Sequence, residues 1–295
     1  MKPLLVTGAA GLLGGRLAEL LAGEFAVVAG VHQSRPPAHL PQVRVDLKAP
    51  ATVEAAFETA RPEAVVHAAA LADANRCEED PEAARAINVH GTALVAQACA
   101  RFGVRLIVLS TDLVFAGTKG GVAESDPPGP MMVYGHTKLE AEDEALGLCA
   151  GSAVVRVALV CGRGYGHRPT ASEAVTWALR RGQRPRLFTD QFRTPVDAEA
   201  VALALAGLVR GLGEGRYHLG GAERVSRSEL GARTATAFGL DPAGVEAITQ
   251  AAFAQPAPRP RDVSLDSSRA RGELGYAPRP LDDMIKSGRP ESPPV

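Results

Sequence analysis

Residues 3–14 read Pro3-Leu4-Leu5-Val6-Thr7-Gly8-Ala9-Ala10-Gly11-Leu12-Leu13-Gly14. A short apolar run that ends in T-G-x-x-G-x-x-G predicts a buried strand turning sharply into a helix, here Gly11 to Ala22. Glycines in such a turn let the backbone approach a pyrophosphate whose charge faces the helix N-terminus. A glycine-rich turn alone is a weak signal, because ordinary tight turns use the same residues. Its weight comes from its place on the first strand of an alternating pattern. Gly8, Ala10, Gly11, Leu12, Leu13 and Gly14 are therefore expected to line a dinucleotide.

Further strands are predicted at 25–31, 43–47, 64–70, 104–110 and 153–160, with helices at 51–60, 81–101 and 134–148. This alternation predicts an α/β fold, a doubly wound parallel Rossmann sheet with helices on both faces. Ligands of such sheets sit beyond the carboxyl ends of the strands. After residue 162 the pattern loosens into helices at 172–181, 197–212 and 228–238 and short extended pieces at 185–188 and 217–219. The prolines of 254–261 impose an extended segment. The reading is a dinucleotide-binding domain over 1–161 and a smaller C-terminal α/β substrate-binding domain over 162–295. Residues of about 190–212 return to the first domain, and 287–295 fray at the end.

The chain has 295 residues and a net charge of −1. That balance gives no reason to expect nucleic acid or an anionic membrane as partner. No signal segment opens the chain, and no apolar run reaches the length of a membrane helix. Cys77, Cys99, Cys149 and Cys161 share no metal-type spacing, so free thiols of a reducing, cytoplasmic compartment and no metal are expected. A homodimer is the base-rate expectation.

The end of the second strand, Gly30-Val31-His32-Gln33-Ser34-Arg35, lacks the carboxylate that NAD binders usually place near the ribose 2′-hydroxyl. His32, Ser34 and Arg35 suit a 2′-phosphate, so NADP(H) is preferred and NAD(H) possible. Asp46-Leu47 closes the third strand beside the expected adenine, although an acid there also caps the next helix. Ala68-Ala69-Ala70 are small enough for a coenzyme to lie close. Asn88 falls inside a helix, where Asn is disfavoured; it is expected either to fix a water or the backbone near Lys138, at the coenzyme, or to be exposed and neutral.

Tyr134 and Lys138 are spaced Y-x-x-x-K on a predicted helix, so they share a face. The ammonium is expected to lower the phenol's pKa and fit it for proton transfer to a carbonyl oxygen. Ser110-Thr111-Asp112 ends the fifth strand and offers a hydroxyl to the same oxygen.

With these blocks in this order, the sequence resembles the extended short-chain dehydrogenase/reductase superfamily, and within it the dTDP-4-dehydrorhamnose reductase group. The likeness rests on Thr7 to Gly14, Arg61 to Ala70, Glu78 to Pro81 leading to Asn88, and Ser110-Thr111-Asp112-Leu113-Val114-Phe115-Ala116-Gly117. It continues through Tyr134 to Lys138, Asp190-Gln191, Arg259-Pro260 and Ser264-Leu265-Asp266. The resemblance implies that Tyr134 donates a proton, Lys138 binds the nicotinamide ribose and Thr111 orients the substrate oxygen. The reaction implied is hydride delivery to the C4 ketone of a nucleotide sugar, with Asn75, Asp112, Gln191 and Arg259 facing the substrate. Departures cluster around the sugar pocket: Leu113 stands where the group usually has Tyr, Ala116 where it has Asp or Pro, and Arg193 near its usual Gly. They bear on which sugar is reduced rather than on how. A related epimerase and a non-catalytic regulatory subunit (the regulatory subunit of methionine adenosyltransferase resembles the same group) are the other readings. The intact Tyr134 and Lys138 favour catalysis.

Overall fold

The computed structural model describes residues 1–34, 36–253 and 257–291. The strands are β1 (Pro3–Thr7), β2 (Ala26–Val31), β3 (Gln42–Arg44), β4 (Ala64–His67), β5 (Arg105–Thr111), β6 (Ala153–Val157), β7 (Arg186–Phe188), β8 (Phe192–Arg193), β9 (Gly215–Leu219), β10 (Val225–Ser226) and β11 (Glu246–Ile248). Seven of them form one parallel sheet in the order β3-β2-β1-β4-β5-β6-β9. β8 pairs antiparallel with β10, and β7 parallel with β11, in two small sheets beside it.

The helices that matter here are α1 (Leu12–Leu21), α2 (Pro50–Ala60), α3 (Ala74–Glu79), α4 (Pro81–Arg85), α5 (Gly91–Phe102), α6 (Val133–Leu148), α7 (Ala171–Arg180), α8 (Ala198–Arg210) and α9 (Arg227–Ala237). Central strands such as Ala64-Val65-Val66-His67 are buried throughout because helices cover both faces. Alternate residues serve the two sides. Leu4, Val6, Ile107 and Val155 pack with Leu17, Leu21, Leu205 and Leu208 of α1 and α8. Leu5, Val65, Leu106 and Val154 pack with Phe57, Val95, Cys99 and Ala145 of α2, α5 and α6. The sheet and its helices are the doubly wound architecture expected.

The turn after β1 requires its glycines. Gly8 has φ +69°, and a Cβ on it would lie 2.6 Å from the Ala69 nitrogen. A Cβ on Gly14 would run into the Gly8 carbonyl. The turn is closed against β4, with no room for side chains between backbone and crevice.

The strands expected over 64–70 and 153–160 stop at His67 and Val157, and three further differences from expectation have physical reasons. The third strand stops at Arg44, because the Asp46 N–H donates to Thr52 Oγ at 2.9 Å and is drawn into the start of α2. The helix expected over 81–101 contains a π-turn, Ala86–His90, between α4 and α5. It is built around Asn88, in keeping with the tendency of π-turns to re-aim a side chain. The return to the main sheet extends past 212, because β9 pairs with β6 over Gly215–Leu219. The extended piece expected at 217–219 is the end of this strand; its place in the main sheet was hidden, since Arg216 and His218 are polar yet satisfied by buried partners. Part of the extended 254–261 segment, residues 254–256, lies outside the described residues, as do 292–295.

Candidate active site

A crevice of about 1340 Å³ opens at the carboxyl ends of β1, β4, β5 and β6. Gly8, Ala10, Gly11, Leu12, Leu13 and Gly14 line one end with Ala68, Ala69 and Ala70. Thr111, Asp112, Tyr134 and Lys138 line the middle, and Gln191, Arg193, Arg227 and Arg259 the other end. Lys138, Arg168, Arg186, Arg193, Arg227 and Arg259 face the space, against Asp73 and Asp112. In a chain of net charge −1, this concentration of cations is a field for polyanions.

The start of α6 sets Tyr134. Glu78 of α3 accepts from the Val133 N–H at 2.7 Å, which satisfies an end donor and places a carboxylate at the positive end of the helix. Gly135 lets α6 lie directly on the Leu113 carbonyl, where a Cβ would collide. Thr111 is thereby brought beside Tyr134. The Thr111 hydroxyl donates to Asp112 Oδ1 at 3.1 Å and accepts from the Leu113 N–H at 3.2 Å.

The electrostatics correct one expectation. Burial raises the Tyr134 phenol well above its ordinary range, and the charge of Asp112 adds to this, with the Thr111 side chain opposing. The depression expected from Lys138 is not found. Lys138 itself is driven down to about 8 by burial, with the Glu142 carboxylate pulling the other way. The phenol is therefore held neutral, as an acid, and the amine is the group that titrates near physiological pH.

Behind the pair lies a buried charge network. Glu142, one turn below Lys138, accepts from Ser110 Oγ at 2.6 Å, from Arg156 at 2.9 and 2.7 Å and from Arg216 Nε at 3.0 Å. Arg156 also meets His218 Nε2 at 3.3 Å, and His218 Nδ1 faces the Val122 carbonyl at 3.0 Å. These contacts join α6 to β5, β6 and β9. A second chain runs from Thr7 Oγ to His67 Nδ1 at 2.7 Å and from His67 Nε2 to Thr92 Oγ at 3.1 Å. Burial depresses His67 to about 3, so it serves as a neutral bridge beneath the glycine turn.

Of the other residues singled out in the sequence, His32 and Ser34 line the crevice, and Arg35 lies outside the described residues. Asp46 is not among the lining residues. It sits behind His32, Oδ2 3.3 Å from His32 Nε2, and accepts from the Lys48 N–H. Leu47 points into the core against Gly91. Asn88 is fully buried and its amide is committed elsewhere: Oδ1 accepts from Leu71 N–H at 2.8 Å, and Nδ2 donates to Leu71 O at 3.2 Å and Thr137 Oγ at 3.0 Å. It ties the loop after β4 to α6 instead of touching the crevice. Replacing Asn88 with Ala is expected to lower stability by about 1–3 kcal/mol, the usual cost of stranding buried amide partners, measured as the urea midpoint. Asn75 also acts at one remove, accepting from Arg259 Nη2 at 3.0 Å. Gln191, Asp112 and Arg259 do line the crevice. His136 is exposed, away from the site, and His167 is exposed at its rim.

Arg186, Arg227 and Tyr165 were not anticipated. Tyr165 covers the glycine turn, its N–H donating to the Leu12 carbonyl at 3.0 Å. Arg227 follows the capping Ser226 and looks in sequence like any first residue of a helix.

A glycine cradle, a half-buried tyrosine with a buried lysine one turn on, and a strand-end threonine in one crevice define an oxidoreductase of the extended short-chain dehydrogenase/reductase class. Residues 1–288 match the RmlD substrate binding domain family, and the chain belongs to it. It is 32% identical over 288 residues to the probable low-salt glycan biosynthesis reductase Agl14 of Haloferax volcanii, covering 95% of each chain. It is 34% identical to the dTDP-4-dehydrorhamnose reductase of Streptomyces griseus over 90% of this chain and 86% of that protein. It is also 31% identical to bovine (Bos taurus) methionine adenosyltransferase 2 subunit beta, over 91% of this chain and 81% of that one. The solved structure of MoeE5 in complex with UDP-glucose and NAD superposes with a TM-score of 0.84 at 28% identity, covering 96% of both chains. The protein is an NAD(P)-dependent reductase. No helix among the described residues is long and apolar enough to cross a membrane.

Proposed function

We propose that the protein reduces the C4 ketone of a nucleotide-linked sugar, with NADP(H) as preferred coenzyme and NAD(H) as the alternative. The observation that carries this reading is the convergence of Thr111, Tyr134 and Lys138 between the glycine cradle and an arginine-rich end of the same crevice. The cradle suits a dinucleotide, since Gly8 and Gly14 leave backbone bare where a Cβ would fill the approach. Gly8 to Gly14 would hold the pyrophosphate, His32 and Ser34 the adenosine end, and Lys138 the nicotinamide ribose. Bound there, the coenzyme supplies hydride.

Tyr134 gives its proton to the ketone oxygen, and Thr111 orients that oxygen. A phenol whose pKa is raised by burial stays protonated throughout the working range, as a proton donor must. The arginine-rich end takes the substrate, with Gln191, Asp112 and Arg259 against it and Asn75 bracing Arg259. A diphosphate suits the fork of Arg259. The protein acts in the cytoplasm as a homodimer, and light scattering should give the mass of two chains.

Incubation with NADPH and a panel of 4-keto nucleotide sugars, followed at the reduced-nicotinamide absorbance band, tests the reading. Oxidation with at least one of them is expected. NADPH binding without turnover on the whole panel would instead leave a non-catalytic coenzyme-binding subunit. The amine near 8 also has a consequence for rate. Its cation exists below that pH and is lost above it, so kcat/KM for reduction should fall as pH rises through about 8. The Lys138→Met enzyme should lack that alkaline limb.

A further inference from the structure

The substrate end of the crevice gathers more cation than its own carboxylates neutralise, with Arg193 buried and Arg227 and Arg259 half-buried. Pairing of β8 with β10 sets Arg193 opposite Val225 and Phe192 opposite Ser226, and the Arg227 N–H donates to the Gln191 carbonyl at 2.9 Å. Gln191, Arg193 and Arg227 are thus gathered on one side of the space that Thr111 and Asp112 border on the other. Arg193 is 5% exposed, and its guanidinium is held by the Phe192 carbonyl at 2.6 Å and the Pro260 carbonyl at 3.3 Å. Its Nε stands 3.8 Å from Asp112 Oδ2, near but beyond hydrogen-bond range.

Three buried polar atoms of residues that line this space have no hydrogen-bond partner among the described residues: Arg227 Nη1, Gln191 Nε2 and Asp112 Oδ2. Buried groups of this kind are costly and are normally satisfied, so unpartnered atoms on side chains that border a cavity mark where a ligand completes them. Two are donors, and one of those carries full charge. Burial also pushes the Asp112 carboxyl up despite Arg193, which further reduces the counter-charge on hand.

Position decides which anion fits. In a 4-keto sugar the diphosphate hangs from C1, across the ring from the reacting C4, while the C5 substituent is the neighbour of C4. The open cluster borders Thr111–Asp112, the reacting end. We propose that Arg227, backed by Arg193 and Gln191, receives a carboxylate on the ring carbon next to the reacting one, so that the substrate is a nucleotide-linked uronate and not a neutral hexose. This rests on the nucleotide-sugar reading above.

Isothermal titration of the NADP-loaded protein with UDP-glucuronate and UDP-glucose, and with their dTDP counterparts, tests it. The uronate should bind at least about tenfold tighter than the neutral sugar, as befits a charge-assisted contact. Arg227→Gln should reduce that preference to under about threefold, and Arg227→Lys should keep part of it, in line with loss of the charge-assisted contact. Unchanged NADP affinity in both variants shows that they fold. Equal affinity for uronate and hexose in the wild type overturns the proposal. So does an Arg227→Gln variant that weakens both ligands by the same factor, which would make Arg227 a diphosphate contact. If neither class of nucleotide sugar binds while NADP does, the nucleotide-sugar reading itself fails.

Discussion

Replacing Tyr134 with Phe should lower kcat by at least about a hundredfold while NADPH binds as before, the scale on which a positioned general acid contributes. The substitution removes one hydroxyl and leaves the ring that packs beside Ala74, Met132 and Ala257, so the fold has no reason to change. The phenol is raised by burial and Asp112, so in the wild type the proton is present across the accessible pH range. Loss of rate should therefore be uniform with pH. Stopped-flow single-turnover reduction, compared between the two proteins, isolates the proton-transfer step from product release. A Phe variant within a few-fold of the wild type would mean that another group supplies the proton.

The second large effect is on stability. Arg156→Met should cost about 3–5 kcal/mol, because it leaves the buried Glu142 carboxylate short of its bidentate partner. Both side chains are sealed: Arg156 is 2% exposed and Glu142 0%. Guanidinium denaturation should show the drop, and Glu142→Gln in the same chain should recover part of it, as coupled sites do.

The network also sets an acid limb. Burial pushes Glu142 up, but the bonds from Arg156, Ser110 and Arg216 outweigh it, and the folded value lies below the ordinary one. A carboxylate so depressed adds stability above the ordinary carboxylate pKa of about 4.3 and loses it as pH falls through the folded value. The Arg156→Met protein should show a shallower loss over that acid range.

Much of this was readable in the chain. The apolar runs of β1, β4, β5 and β6 are unbroken because both faces are covered, and Gly8 and Gly14 stand where only bare backbone fits. Tyr134 and Lys138 were legible from helical spacing, but the direction in which Tyr134 shifts was not. That depends on burial, and spacing carries no information about it. Asn88 was legible as a fixer of backbone near Lys138, because Asn inside a helix asks for a partner, but not as a residue that stays clear of the coenzyme crevice. The partner proved to be Leu71 and Thr137, reached through a π-turn that sequence periodicity does not reveal. Of β9 only 217–219 was legible, and not its place in the main sheet, because Arg216 and His218 break an apolar pattern that Glu142 and Arg156, far off in sequence, make tolerable. Arg227 escaped because its meaning lies in pairing with a strand more than thirty residues away.

The parallel edge formed by β9 carries a lesson for anyone who would divide the molecule. A fragment cut at 161 ends with β6 as an open border, strips α8 from beside α1, and leaves Glu142 and Arg156 without Arg216 and His218. The main sheet is thus finished only by chain that lies more than fifty residues beyond such a cut.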